Sequence, residues 1–455
     1  MQSSKLGTAP VPRLLWSMAL PAVAANVVNA IYNIVDQIFI GHKVGFSGNA
    51  ATSIAFPLTT VCLAIGLGTG LGAAAGYNLE LGRGRVDEAK KYAGTVFSSL
   101  LIAGVVICIG VRTFLRPLMI AFGATDAILD YAVQYAGITA FGIPFLLFSL
   151  GINPLVRGDG SPTYSMLSIV AGALCNVALD ALFMLVLHWG MAGAAWATVI
   201  GQAVSAGMLA LYYRHFKNVC FSLRDLLPDV RYLGKICALG FASFAYQGSM
   251  VLVQVTLNNL LRKYGGRSDY GSEVTLAVSG IVAKVNAIFS AAVIGLVQGS
   301  QPICSYNYGA KQYARVRQTV RVLLIAATAV SVAVFAAIEL FPEQIIRIFG
   351  DGDKSYFEFA ALYARGFAAC LFLNGVQISS ATFFPSIGMP VKGAIISLSK
   401  QLLFFLPLML ILSHCFGIRG LIYATPATDV LAFGVAAAFL LYEMKHLREK
   451  NDGAE

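Results

Sequence analysis

An all-α polytopic membrane protein, with twelve spans arranged as two parallel six-helix repeats, is the fold class the 455-residue sequence predicts. Three observations predict it. Apolar residues make up 58% of the chain and charged residues only 12%, where a soluble domain carries about a quarter charged. Apolar runs of 20–30 residues recur from near residue 13 to near residue 442, each long enough to cross ~30 Å of hydrocarbon at 1.5 Å per residue. A single offset of 227 residues also carries the first half onto the second.

Taken in order, the runs predict helices over roughly 13–40, 48–77, 89–113, 127–155, 162–187, 190–214, 232–262, 275–305, 314–340, 356–384, 390–413 and 418–442. Residues 1–12 read as a short polar tail, since Pro10, Pro12 and Arg13 lead straight into the first run. That run is too long for a cleavable signal and lacks a small-residue cleavage site, so it reads as the first membrane helix. Residues 13–214 form an N-lobe of six helices, 215–231 a basic linker, 232–442 a C-lobe of six, and 443–455 a tail.

The formal charge of +10 is a topology signal and gives no reason to expect nucleic acid. With the N-terminus inside, the inner segments hold about 20 Lys and Arg and the outer segments about 10, which predicts both termini in the cytoplasm. The eight cysteines form no CxxC and most lie in apolar runs, so they read as small hydrophobes. The five histidines show no metal-ligand spacing, which argues against a zinc site.

The 227-residue offset superimposes Gly68 on Gly295, Gly72 on Gly299, Gly82 on Gly309, Gly123 on Gly350 and Gly190 on Gly417. With one residue of slip, Gly160 aligns with Gly388 and Pro162 with Pro390. Six helices is an even number, so both halves run the same way through the membrane. They are expected to be related by an axis along its normal, with the substrate path between or within them. The small-residue spacings at Gly68–Gly72 and Gly295–Gly299 suit close helix approach.

Two aspartates interrupt apolar helices: Asp36 in AIYNIVDQIFIG and Asp180 in ALCNVALDALFML. A carboxylate at the centre of a membrane helix costs roughly 2.5–3.5 kcal/mol on insertion scales. Asp36 lies about five residues, roughly 8 Å, from the outer end of the first helix, and Asp180 about seven residues, roughly 10 Å, from that of the fifth. Thr198 lies roughly 12 Å below the outer start of the sixth helix. Asn176 is one turn from Asp180 on the same face. Two carboxylates, an amide oxygen and a hydroxyl at one level suit a small hard cation such as Na⁺. Without metal, the two acids can share a proton.

The second half does not copy this set, because Asp36, Asn176 and Asp180 meet Lys263, Leu403 and Pro407 at the same offset. Lys284, Lys400 and Asp429 are instead counted to near mid-depth of the eighth, eleventh and twelfth helices, and are expected to form a buried Lys–Asp–Lys network with Gln401. Pro21 removes a backbone hydrogen bond from the first helix and is a candidate bending point.

The runs IYNIVDQIFIG (31–41), LVRGDGSPTYSM (155–166), NVALD (176–180), GMAGAAWATVIGQ (190–202) and QPICSYNYGAK (301–311) resemble the multidrug and toxic compound extrusion (MATE) transporters, in their bacterial multidrug-exporter branch. The resemblance spans about residues 13–440. It implies two six-helix lobes around a V-shaped cavity in the bacterial cell membrane. It also implies export of amphipathic, often cationic compounds in exchange for Na⁺ or H⁺, by a functional monomer with no cofactor beyond the coupling ion. The family's cation site maps onto Asp36, Asn176, Asp180 and Thr198 with the Ala194 carbonyl, Asp36 and Asp180 being the metal ligands if the ion is Na⁺. Its drug contacts map onto Tyr32 and Asn153, with Asn33, Gln37, Gln247 and Gln377 as further polar groups expected along the path. Pro21 matches the proline linked to bending of the first helix. The acidic residues some members carry in the seventh and tenth helices are absent, and Gln247, Gln254, Asn374 and Gln377 stand nearby instead.

Other classes fit less well. A flippase for lipid-linked saccharides calls for cavity arginines to fork onto pyrophosphate, and the depth count places none deep in a span. The loop signature of a major-facilitator transporter has only a weak echo in NLELGRGRVDEAKK. A membrane enzyme needs a nucleophile–base pair, a metal cluster or a phosphate loop, and no such motif accompanies the aspartates.

Overall fold

Glycine and proline end the apolar runs, and twelve spans result in the computed structural model, which describes residues 5–268, 270–347 and 354–452. In chain order they are α1 Val11–Lys43, α2 Phe46–Gly82, α3 Val86–Thr113, α4 Ile128–Gly158, α5 Pro162–Val186 and α6 Gly190–His215. The second set is α7 Val230–Gly265, α8 Gly271–Gly309, α9 Tyr313–Leu340, α10 Tyr356–Ser386, α11 residues 390–416 and α12 residues 418–452. The span α10 bends by 45° between Ala368 and Leu371. Gly417 separates α11 from α12 with φ 60° and ψ −136°, a backbone region essentially closed to residues with a side chain. Several helices outrun their apolar stretches, most of all α12, where the expected tail at 443–452 continues the helix. Its Glu443 is fully buried and pairs with Lys392 at 2.6 Å.

The repeat is visible in backbone geometry. Gly160 and Gly388 adopt φ 87° and 84°, each just ahead of the proline that opens α5 or α11. Gly190 and Gly417, also repeat mates, adopt φ 56° and 60°. Gly123 turns at φ 100°, while its expected mate Gly350 lies outside the described residues.

Glycines also set how the halves meet. A Cβ on Gly82 would stand 2.1 Å from the Tyr306 carbonyl oxygen, and one on Gly309 would stand 2.2 Å from that of Leu79. Both pairs obey the 227-residue offset, so the contact is a pseudo-two-fold one. Gly72 lies against Ile236 and Gly240 of α7, while Gly299 and Gly295 lie against Ala19 and Val23 of α1. These contacts occupy the end of the bundle where both termini emerge. The amide of Asn26 donates to Gln298 across the same seam at 3.1 Å. The short helix Lys5–Thr8 is held there too, its Leu6 carbonyl accepting from Asn307 and Arg315.

Toward the opposite end, α1 and α7 present exposed polar groups, among them Asn33, Gln37 and Gln254. On the periphery Val106, Ile109, Leu174, Ile325 and Leu441 are 61–71% exposed, an apolar surface suited to lipid and too extensive for water.

The connection between repeats is fastened down. Buried Asp159 accepts hydrogen bonds from the Tyr77 and Tyr212 hydroxyls and from the backbone N–H groups of Lys217 and Asn218. Asp225 caps the turn Leu223–Leu226 through Ser222 and pairs with Lys90 of α3 at 2.6 Å. Gly94 of α3 leaves room for the Asp225 carbonyl, which would lie 1.9 Å from a Cβ.

Candidate cation and substrate site

Helices α5 and α6 approach closely where two glycines face each other. A Cβ on Gly172 would lie 2.7 Å from the Gly201 carbonyl oxygen, and one on Gly201 equally close to that of Gly172. One turn further along, this brings the Asn176 amide to the Thr198 hydroxyl at 3.5 Å. Thr198 itself donates to the Ala194 carbonyl at 3.0 Å, so that oxygen already accepts a side-chain bond.

Asp180 follows Asn176 at the end of the regular α5 helix, and the chain then takes a π turn over Ala181–Val186. Such wide turns re-aim side chains and gather at functional positions. Helix α1 packs alongside and brings the Asp36 carboxyl within hydrogen-bonding reach of the Asp180 carboxyl. Asp180 and Asn176 are buried, and Asp36 is partly so.

Four acceptor oxygens here are buried without a donor: Asp36 Oδ1, both Asp180 carboxyl oxygens and Asn176 Oδ1. Leaving such groups unmet is costly, and two carboxylates in contact repel each other as well. One positive charge placed between them, as a proton or a monovalent cation, answers both problems. Among the described residues no group of three or more His, Cys, Asp or Glu comes together, which disfavours a transition-metal centre. The oxygen-only donor set fits a hard ion.

Two tyrosines complete the surroundings. Tyr32 of α1 and Tyr135 of α4 both lie close enough to feel the charge of Asp36 and Asp180, and Tyr135 lies beside Thr198. The sequence reading missed Tyr135. Nothing in ILDYAVQYAG separates it from neighbouring Tyr131 except which side of α4 faces α1, and that is a packing result.

The remaining candidates divide by position. Tyr32 and Asn153 line a cavity of about 140 Å³ between α1, α2, α4, α5 and α6, with Gln298 of α8 at its wall. Asn153 is committed: its Nδ2 donates to the Ser165 carbonyl at 2.9 Å, and its Oδ1 accepts from Ser165 and from Arg157 at 2.8 and 2.7 Å. An amide so occupied is positioned to order the helices around the cavity. Asn33 and Gln37 are exposed on α1, and Asn33 donates to its own helix at Asn29. Gln247 is half-buried on α7, and Gln377 is buried within the C-lobe bundle.

The C-lobe network differs from the expectation. Lys400 pairs with buried Asp429 at 3.0 Å, and Asn374 bonds both, donating to Asp429 Oδ2 at 3.1 Å and accepting from Lys400. Gln401 turns instead to the Met250 sulfur. Lys284 is exposed and has no part in it. Equal depth proved insufficient, because Lys284 points out of α8 on a different azimuth. The third member is the neutral Asn374, and Lys400 sits in a π turn, Ser399–Phe405, as Asp180 borders one in α5. At Pro21, α1 runs on unbroken, with its neighbours Ala19 and Val23 against α8.

A second difference concerns arginine. Arg157, counted as an inner-segment residue by depth, is buried at the end of α4 and lines the cavity. One guanidinium still falls short of the cluster a pyrophosphate needs.

The MatE family model matches residues 21–182 and 250–411, one stretch in each repeat. The chain belongs to the MatE family. Among relatives of this MatE protein, the multidrug export protein MepA of Staphylococcus haemolyticus is 23% identical over 95% of this chain and 94% of its own. MepA of Staphylococcus aureus is 21% identical over 96% and 94%. Among solved structures, the MATE multidrug transporter DinF-BH in complex with rhodamine 6G is 34% identical, with a TM-score of 0.90 over 98% of this chain and 99% of its own. A MATE in complex with MaL6 shares the fold at a TM-score of 0.91 and 22% identity, covering 99% of this chain and 100% of its own. These matches extend through both repeats, so the MatE fold of twelve helices in two repeats accounts for the whole chain.

Proposed function

We propose that this MatE protein is a secondary antiporter that exports amphipathic, mainly cationic compounds across a bacterial cell membrane in exchange for Na⁺ or H⁺. The observation that carries the reading is the set of four donor-less oxygens on Asp36, Asp180 and Asn176. The site demands a positive charge and supplies none. Asp36 and Asp180 hold the ion, Asn176 and Thr198 complete its oxygen shell, and Tyr135 orients Thr198. Tyr32, next to the acids, and Asn33, Gln37 and Gln247 around the mouth offer a cationic amphiphile aromatic and polar contacts. Drug and ion then compete for the same negative charge, which ties the departure of one to the arrival of the other. A monovalent ion falling through 100 mV releases ~2.3 kcal/mol, enough for a drug gradient of about fiftyfold.

The names of the relatives support the substrate class, since MepA is a multidrug export protein and DinF-BH was solved with rhodamine 6G. The distribution of Lys and Arg supports cytoplasmic termini, which makes the end carrying Asn33, Gln37 and Gln254 the outer one. The cycle needs only one copy of the chain, because both repeats lie within it.

The test is rhodamine 6G efflux from proteoliposomes with Na⁺ and pH gradients imposed separately. One of the two gradients drives efflux in the wild type. D36N and D180N each abolish it, at least a hundredfold, while the protein still inserts and elutes as a single species. Wild-type rates in either variant contradict the site.

A further inference from the structure

Among the described residues eleven buried side-chain polar atoms of the N-lobe lack a hydrogen-bond partner, and seven of them belong to the acid pair or line the cavity beside it. Asp36 Oδ1, both Asp180 oxygens and Asn176 Oδ1 make up the ion site, and Gln202 Oε1, Ser149 Oγ and Arg157 Nε continue from it. Asn176, Gln202, Ser149 and Arg157 all line the cavity between α1, α2, α4, α5 and α6. Its length follows from α5: the Arg157 end lies level with Ser165, to which Asn153 bonds, and Asn176 is roughly 16 Å further along the helix. The cavity has room for a file of waters to meet the orphaned atoms.

The file leads from Asn176, one turn from Asp180, toward the end of the bundle where the termini lie, and Arg157 stands at its foot. Arg157 is 4% exposed. It donates to Asn153, a neutral amide, and among the described residues no carboxylate pairs with it. The nearest acid in sequence, Asp159, gives its oxygens to Tyr77, Tyr212 and the Lys217–Asn218 backbone. A buried cation without a counter-charge is expensive to maintain. In pores, such a fixed charge excludes cations and protons.

We propose that Arg157 is an electrostatic barrier at the foot of the N-lobe water file, preventing the coupling cation from slipping between the Asp36–Asp180 site and the termini side without exchange for drug. The inference rests on the cation site proposed above and adds a residue that keeps exchange tight. Arg157 touches neither ion nor drug. It acts through its field on the waters between.

The experiment uses the full-length chain in proteoliposomes with no drug present, reading H⁺ entry with a trapped pH dye and Na⁺ entry with a radioactive tracer. A unit charge ~8 Å away at an effective dielectric of ~20 changes ion occupancy about thirtyfold. R157Q is therefore expected to raise entry of the coupling ion by that order, and R157K to match the wild type. N153D, which sets a carboxylate against the guanidinium and leaves Arg157 in place, raises entry likewise and carries the test should R157Q fail to fold. Adding D36N to R157Q returns entry to the rate of empty vesicles, because the leak must pass the acids. Wild-type tightness in folded R157Q or N153D overturns the barrier, as does a leak that persists with D36N. If wild type moves no rhodamine 6G under either gradient yet R157Q leaks through Asp36, the antiport reading falls and the barrier stands.

Discussion

Tyr135 connects the proposed ion site to the N-lobe helix that carries Arg157. It lies beside Thr198, which accepts from Asn176, so the ring borders one side of the proposed oxygen shell without bearing charge. Removing the tyrosine hydroxyl takes a polar neighbour from Thr198, worth about one neutral hydrogen bond, ~1 kcal/mol. Y135F is thus expected to weaken the coupling ion's apparent affinity about fivefold, with the maximal rhodamine 6G efflux rate nearly unchanged. Titrating efflux against ion concentration checks this, and an unaltered half-saturation point would remove Tyr135 from the site. At this scale the sequence was legible where chemistry was out of place. Asp36 and Asp180 announce themselves because carboxylates do not otherwise persist in apolar helices. Tyr135 and Arg157 do not, because a tyrosine and an inner-end arginine are ordinary in a membrane protein until packing shows which way they face.

Among the elements, the inter-repeat connection carries the titration most open to measurement. Lys90, and after it Ser222, bond the Asp225 carboxylate and pull its pKa down to about 2. A folded-state value below the unfolded one, near 3.9, means that folding favours the charged form. The contact is therefore at full strength above about pH 4 and is lost as pH falls through about 2. Amide exchange over 216–229, corrected for intrinsic rates, is expected to stay flat from pH 8 to 5 and rise only in that acid window. D225N should show the raised exchange already at pH 7; flat exchange in that variant would detach Asp225 from the linker's order. The spans themselves were legible because hydrocarbon thickness imposes a length, and glycine or proline marks the ends. The π turns after Asp180 and around Lys400 were not. Their wider hydrogen bonding has no residue signature and is stabilised by what the neighbouring helices require.

At the level of the molecule, twelve spans put the Cys220 segment on the side of the termini and Cys415, at the junction of α11 and α12, on the other. Both thiols are exposed. In intact cells carrying single-cysteine versions, a membrane-impermeant maleimide is expected to label Cys415 directly and Cys220 only after permeabilisation. The reverse pattern would invert the topology and, with it, the direction of export. The repeat could be read from an offset of glycines because only glycine allows the mutual approach of Gly82 to Tyr306 and Gly309 to Leu79, so both copies retain it.

The sequence by itself determined the number of spans, their six-and-six repetition and the two acids at a common depth, since length, periodicity and misplaced charge are all properties of a linear chain. Only the tertiary structure decided which groups at one depth actually meet. It joined Asp36 to Asp180, put Asn374 where Lys284 was expected, and turned Arg157 into the cavity. Depth follows from counting residues at 1.5 Å each. Direction around a helix axis follows from how close its neighbours can come, and that is set across the bundle by contacts such as Gly172 on Gly201.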